Sequence, residues 1–582
     1  MPAVAQAEQA ELSSYEKETL ALVKTQRGVM EDVAPEGKRI EAIDVVVLDV
    51  IEARDPAPRM LNILHSNSRD AVIRREILVE VGQTYRDALV RESERNMRAL
   101  RQLSLVLLRA TRGRDDKHVR LLAIVKDVWS LRLNTNYRFK AGQLEYLFLQ
   151  PAEENLFGTH RQVLGAFTYE PDTLSFGGRV ADRRIAGSRY QAVIDANGIV
   201  GRESGKAEGS FGSFQYGLPL FSTQQRWSWG SHVLWHQETT RRHVGIALAR
   251  FDALSTPQDD AIPHEYDTDI LAGQFSVTRS FGTSIKHDLR VGVSVQRSVF
   301  RAHDLSAYEA EAQREYVDTI LPVSDTRNGP FVQYHLYANQ WRSLLDFETL
   351  GLQENYRQGP ELYLRVQAAP RFLRSSRDLI RYHAGTSWTV APAGGLFRAY
   401  AAAALDLELD GAVVSDARLQ AGFRLATPRL GPASFKLGRF VYDATTIYRP
   451  HNYLNTRVAI GGSGRLRGYP TGYFVGEELM AANLEFRTRP IQLWTVQLAA
   501  TAFYDVGDAF DGWSQLRPKH GAGAGLRILL PQLGRSVIRA DWGFALTPGY
   551  RASSPLEGLL ITFRQAFATP SLNALGVTTS NQ

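Results

Sequence analysis

The chain has 582 residues, 44% of them hydrophobic, with 68 basic and 62 acidic residues and a formal net charge of +6. That composition excludes a disordered chain, and charges scattered in both signs leave no electrostatic footprint for nucleic acid as a partner. The absence of cysteine removes disulfide frameworks, cysteine zinc sites and thiol nucleophiles, while the richest apolar runs, such as Leu103–Leu108 and Leu559–Phe563, are only strand-length and fall far short of the roughly 20 residues of a membrane-spanning helix.

At the start, Ala5-Gln6-Ala7 is similar to the small-residue cleavage site of a secretory signal. The basic and apolar regions that should precede it are missing, so the segment reads as a truncated signal peptide or as an ordinary N-terminus. Glu8–Thr25 reads as a short helix with Leu12, Tyr15, Leu20 and Val23 on one side, broken by Gly28–Gly37. Ile43–Ile51 is β-branched and reads as a strand. Arg69–Val79 reads as a helix. Thr84 with Asp87 looks like a capping box for a second helix reaching Leu100. Leu103–Ala110 and His118–Val128 then read as strands around a polar turn at Arg112–Lys117. The order strand, helix, helix, strand, strand gives a compact α+β module with two helices on one face of a small sheet.

After Trp129 helical periodicity gives way to alternation. Trp227, Trp229, Ser231, Val233 and Trp235 share one face, against Ser228, Gly230, His232, Leu234 and His236. Val291, Val293 and Val295 oppose Gly292, Ser294 and Gln296; Leu362, Leu364, Val366 and Ala368 oppose Glu361, Tyr363, Arg365 and Gln367; Ala524, Leu526, Ile528 and Leu530 oppose Gly523, Gly525 and Arg527. A soluble sandwich alternates in the same way. The unbroken run of such segments, with aromatic residues at their ends, favours a membrane β-barrel.

Several motifs occur in a fixed order. Glu154-Asn155-Leu156-Phe157-Gly158-Thr159 resembles the barrel entry of the BamA/TamA superfamily of outer-membrane assembly proteins, also called the bacterial surface antigen family, and the module before it resembles their POTRA repeat. Gly464-Arg465-Leu466-Arg467-Gly468-Tyr469 resembles the arginine-glycine-aromatic signature of a loop that the family folds back into its barrel; Leu466 stands where the family carries Val or Ile. Asn483-Leu484-Glu485-Phe486-Arg487 and Phe503-Tyr504-Asp505-Val506-Gly507-Asp508 resemble the two strands that follow. The resemblance implies a mainly β fold: a transmembrane antiparallel barrel of about 16 strands behind one small α+β POTRA domain. The implied division is an N-terminal segment with a short helix (1–37), a POTRA-like periplasmic domain (38–129), a barrel (130–567) and a C-terminal tail (568–582).

Counting alternation from these strands puts Ala482, Leu484 and Phe486, and Val496, Leu498, Ala500, Ala502 and Tyr504, toward lipid. Asn483, Glu485 and Arg487, with Gln497, Thr501 and Asp505, then point inward. An in-folded loop carrying Arg467 is expected to meet Glu485 and Asp505, since a planar guanidinium fork binds carboxylates bidentately. Gly468 lets the backbone turn beside the wall, and Tyr469 completes the lumen latch. In Gly558–Phe567, Leu559, Ile561, Phe563 and Phe567 share a face. Gly558, Phe563 and Phe567 are expected at the barrel seam, where the family's closing strand meets its first and offers an incoming chain a template. The edge strand Leu103–Ala110 is expected to do likewise.

Catalytic patterns are missing from the sequence. Gly461-Gly462-Ser463-Gly464 continues into Arg465, so it is neither a nucleophile elbow nor a phosphate loop. His232, His236 and His243 are spaced poorly for a metal, and Asp505, Asp508 and Asp511 lack EF-hand spacing. Arg183-Arg184 and Arg241-Arg242 read as solvated turns. The expectation is a non-enzymatic assembly or insertion factor of the bacterial outer membrane, with no cofactor and no metal. Its POTRA lies in the periplasm. Its partners are the lipid bilayer, unfolded outer-membrane or secreted polypeptides, and periplasmic or lipoprotein partners. The alternatives are a polypeptide translocator of the two-partner secretion type and a passive porin-like channel.

Overall fold

The computed structural model describes residues 12–140, 143–244, 247–432, 436–462, 465–550, 558–563 and 565. Two sheets organise it. The smaller is built from β1 (Arg39–Leu48), β2 (Leu103–Arg112) and β3 (His118–Asp127), in the order β1-β3-β2. β1 runs parallel to β3 and β2 antiparallel to it. Between β1 and β2 the chain makes α2 (Asp70–Glu76) and α3 (Asp87–Arg98). Both cover one face, burying Ile73, Leu89, Val90 and Met97 on Val106, Leu121 and Val125. α1 (Ser14–Arg27) covers the other with Tyr15, Leu20 and Val23. It begins where Ser13 and Glu16 cap each other reciprocally and ends at Gly28 in the left-handed region.

Two local expectations need correcting. Thr84 does not cap α3: its backbone bridges Arg39 in an extended conformation, and the Asp87 N–H donates instead to the Glu36 carboxylate at 2.8 Å. β1 ends at Leu48 rather than Ile51, because the Asn62 side-chain amide closes on both the N–H and the carbonyl of Ile51.

The expectation for β2 as a pairing template also changes. It is an edge strand, but its outer side is filled. Arg535 donates to the Ser104 carbonyl, Arg98 to that of Val106, and Arg109 to that of Leu108, while Leu108 N–H donates to Glu94. The segment before β1 finishes the job: Asp32 N–H donates to Ala110, and Arg112 N–H to Met30. On the opposite edge, β1 from Ala42 to Leu48 has no hydrogen bond on its outer side among the described residues.

The larger sheet starts at β4 (Leu131–Lys140) and is antiparallel throughout. Its order closes into a ring, with the last strand, Leu559–Phe563, beside β4. Twenty-two segments make the ring; Gln340–Leu345 and Ile491–Leu493 continue the strands before them, which leaves twenty strands among the described residues rather than about 16. Alternation assigns faces but does not count strands. A nine-residue segment such as β6 (Arg161–Tyr169), joined to the next by Glu170–Asp172, is a full strand.

The faces follow the expected parity. Val291, Val293, Val295, Leu364, Val366, Leu484 and Leu526 are exposed on the outside, while Glu485, Arg487, Gln497, Thr501, Asp505 and Arg527 are buried within. Large exposed aromatics, Trp227, Phe281, Trp388 and Trp494, mark the rim nearest the small sheet. No helix among the described residues is long and apolar enough to cross a membrane.

Candidate functional site: an arginine held inside the ring

The loop 453–477 leaves the strand Gly438–Asn452, forms a short hairpin between Val458–Ile460 and Phe474–Gly476, and turns into the ring. Ser463 and Gly464 lie outside the described residues. The loop's apolar side is fixed first: Leu466 and Tyr469 are buried with Ile447, Ile460, Leu479 and Ala509. That packing sets the Arg467 backbone against the wall, where its N–H donates to Asp505 Oδ2 at 3.1 Å.

The Arg467 side chain then uses its whole fork. Nε and Nη2 each donate to an oxygen of Asp505 at 2.8 Å, and Nη1 donates to Glu485 at 2.5 Å. Sequence reasoning missed a third carboxylate, Asp541, which accepts from Nη1 at 3.2 Å. The guanidinium carbon lies 3.5 Å from the centroid of the Phe503 ring. Arg467 is 2% exposed and Asp505 and Asp541 are 0% exposed, so water screens these charges weakly. The carboxylates are shared with further cations: Arg487 donates to Glu485 at 2.8 Å, and Arg527 binds Asp541. The signal for Asp541 was present. Arg539, Asp541 and Gly543 alternate with Ile538, Ala540, Trp542 and Phe544, and the same inward count finds it.

Close approach of backbone to wall is possible because the wall lacks side chains there. A Cβ on Gly521 would lie 2.3 Å from the Arg467 carbonyl oxygen, and one on Gly543 would lie 2.7 Å from the Gly468 nitrogen. Gly468 itself has φ +95°, and a Cβ on it would meet the Phe544 carbonyl carbon at 2.6 Å. Neighbouring residues complete the seat. Asn483 donates to the Arg465 carbonyl at 2.6 Å, Arg465 pairs with Asp443, and the Tyr469 hydroxyl donates to the His520 carbonyl at 3.0 Å. Chemically, the arrangement gives three buried carboxylates a shared cation carried on the loop, in addition to Arg487 and Arg527 on the wall.

Gly558 stands against Gly543, where a Cβ would come within 2.1 Å of the carbonyl oxygen. Of Phe563 only the strand backbone, paired with Ile538, is described, and Phe567 lies outside the described residues. Among the described residues the closing strand pairs with its predecessor along Leu559–Phe563.

A second seat joins the ring to the small sheet. The Glu154–Thr159 motif ends β5 (Gln143–Leu156) in a turn with positive φ at Phe157 and Gly158. Asn155 donates to the Ser66 carbonyl at 3.2 Å and accepts from the His160 N–H at 2.9 Å. Ser68 donates to Asp127 at 2.8 Å, and its hydroxyl lies 2.7 Å from His160 Nε2. Burial pushes His160 below the usual imidazole range. Arg184, expected in a solvated turn, pairs instead with Glu76 of α2, and Arg241 pairs with Glu208 and Glu265. His243 lies 2.6 Å from Asp172 and His236 3.1 Å from Glu238, in separate places. Asp508 takes Lys519 and Asp511 takes Arg457.

No protein-family model matches the chain, and no curated protein matches it in sequence. Among solved structures the chain is similar to BamA from Haemophilus ducreyi lacking POTRA domains 1–3, at 10% identity over 94% of this chain and 92% of that one, with a TM-score of 0.34. It is similar to CdiB from Escherichia coli at 12% identity, over 94% and 82%, with a TM-score of 0.40. The FrpB iron transporter from Neisseria meningitidis is matched at 10% identity, over 92% of each chain, with a TM-score of 0.34. Likenesses of this size span several barrel types and carry no functional argument.

Proposed function

We propose that this chain is a bacterial outer-membrane protein of the BamA/TamA kind that assembles or inserts other polypeptides, without enzymatic chemistry. In this reading residues 130–567 form the barrel in the bilayer and residues 38–129 form a POTRA-like domain in the periplasm. The apolar outer face supports the placement in lipid. The observation that carries the functional reading is the in-folded loop, with Arg467 bridging Asp505, Glu485 and Asp541. A factor that opens its wall to admit a client gains from an in-folded loop, because the latch keeps the interior ordered while the closing strand beside β4 parts. The unfilled β1 edge, Ala42–Leu48, is the place on the small domain for an extended client to add as a strand.

Depleting the protein and measuring which outer-membrane proteins disappear tests the reading. Loss of several barrel proteins together supports it. Loss of one exported polypeptide with outer-membrane proteins intact replaces it by a secretion translocator, and no loss of either overturns it.

A further inference from the structure

Between α3 and the rim of the ring lies a cavity of about 690 Å³, within the range of small-ligand pockets. α3 supplies Arg95, the turn before β10 (Trp227–Arg241) supplies Phe221, and the strands at the rim supply Trp341 and Arg357.

Most charges lining it are committed. Glu92 accepts from the N–H and hydroxyl of Thr223. Glu354 accepts from the N–H groups of Phe347, Glu348 and Thr349 and from the Tyr356 hydroxyl. Glu348 pairs with Arg424, and Arg98 with Glu94. Arg535 donates to the carbonyls of Ser104 and Gln353.

Arg95 and Arg357 are different. Arg95 lies over the Trp341 ring, 5.1 Å from its centroid, and its guanidinium makes no hydrogen bond or ion pair with another described residue. Arg357 lies 4.0 Å from the Tyr337 centroid and 5.0 Å from that of Trp341. Its Nε is buried without a partner, and its nearest carboxylate, Glu361, is 3.8 Å away. Two guanidinium groups thus rest on one indole. A ring face attracts a guanidinium's charge but accepts no full hydrogen bond, so their N–H groups remain for an acceptor. A carboxylate fits those groups in the bidentate manner, and the aromatic wall gives the rest of such a ligand apolar surface.

We propose that this cavity binds the free carboxylate end of an extended polypeptide, its carboxylate between Arg95 and Arg357 and its last side chains against Phe221 and Trp341. The proposal deepens the insertion reading and rests on it for the kind of client.

The full chain in detergent micelles, titrated with a fluorescent hexapeptide ending in Phe and followed by anisotropy, provides the test. The acid form is expected to bind saturably, and its C-terminal amide about tenfold more weakly. Arg95→Gln and Arg357→Gln are each expected to lower affinity by about tenfold. Ser222→Trp, which fills the cavity and keeps both arginines, is expected to abolish binding. It decides the matter should either arginine variant fail to fold. Equal binding of acid and amide, or binding indifferent to all three variants, overturns the site. Inorganic phosphate binding more tightly than the peptide overturns the polypeptide assignment. Absent peptide binding in a chain that inserts clients normally sinks this site alone; intact peptide binding in a chain that inserts nothing sinks the insertion reading alone.

Discussion

The ring holds two irregular segments in buried seats, and it holds them by different physics. Loop 453–477 is held by full charges: one arginine on three carboxylates, all nearly dry. The Glu154–His160 turn is held on the small sheet largely by neutral donors, by a single carboxylate, Asp127, and by a glycine that lets two backbones touch. Charge gives a seat that stays shut or opens completely, because a buried ion stranded without its partner is costly. The second seat gives way in smaller steps, since each net hydrogen bond is worth only about 1 kcal/mol. The latch is therefore suited to a two-state element, and the junction to graded movement of the small domain.

The largest blow to this contrast is Arg467→Ala, which leaves Asp505 without a cation while Glu485 and Asp541 keep Arg487 and Arg527, and is expected to cost about 3–5 kcal/mol. Limited proteolysis should then cut within residues 465–477, where the native chain resists; unchanged protection would break the contrast outright. Gly158→Ala tests the other seat. A Cβ there lies 2.2 Å from the Asn67 carbonyl oxygen at φ +70°, and strain of about 1–3 kcal/mol is expected. Hydrogen exchange should speed up at residues 66–69 and leave the loop unchanged; simultaneous loosening of both would merge the two seats into one.

Acid sharpens the contrast further. His160 has its imidazole lowered by burial, so the junction favours the neutral ring. The unfolded ring takes up a proton as pH falls through about 6.5 while the folded one resists. The junction's stability is thus full above that pH and declines below it. Protection of residues 155–160, with exchange corrected for its intrinsic slowing in acid, should fall between pH 7 and 5.5, and His160→Gln should flatten the profile. The smallest effect belongs to Arg457, paired with Asp511 at the loop's exposed base. Arg457→Ala is expected to change thermal unfolding by less than about 1 kcal/mol, and a loss as large as that of Arg467→Ala would mean that burial is not what strengthens the latch.

The latch was legible because two regular signals crossed. Period-two counting turned Glu485 and Asp505 inward, and the arginine before Gly468 supplied the opposite charge. Asp541 was reachable by the same count but sits outside the motifs that drew attention. The junction was not legible: Ser68, Asp127 and His160 lie 59 and 92 residues apart in sequence, and neutral hydrogen bonds leave no charge pattern to read. The filled edge of β2 escaped for the same reason, since Arg535 reaches it across 431 residues. Strand number escaped because it depends on how turns close rather than on which way side chains point.

The bare patch of wall under the loop has a consequence for how the molecule is put together. Gly521 and Gly543 belong to the strands Lys519–Leu529 and Ile538–Ala545, just before the closing strand, and with no side chains of their own they leave a hollow that only the backbone of Arg467 and Gly468 fills. These two strands are thus moulded on a segment made 54 to 75 residues earlier in the chain. The loop serves as the former against which these two strands pack, in place of side chains of their own.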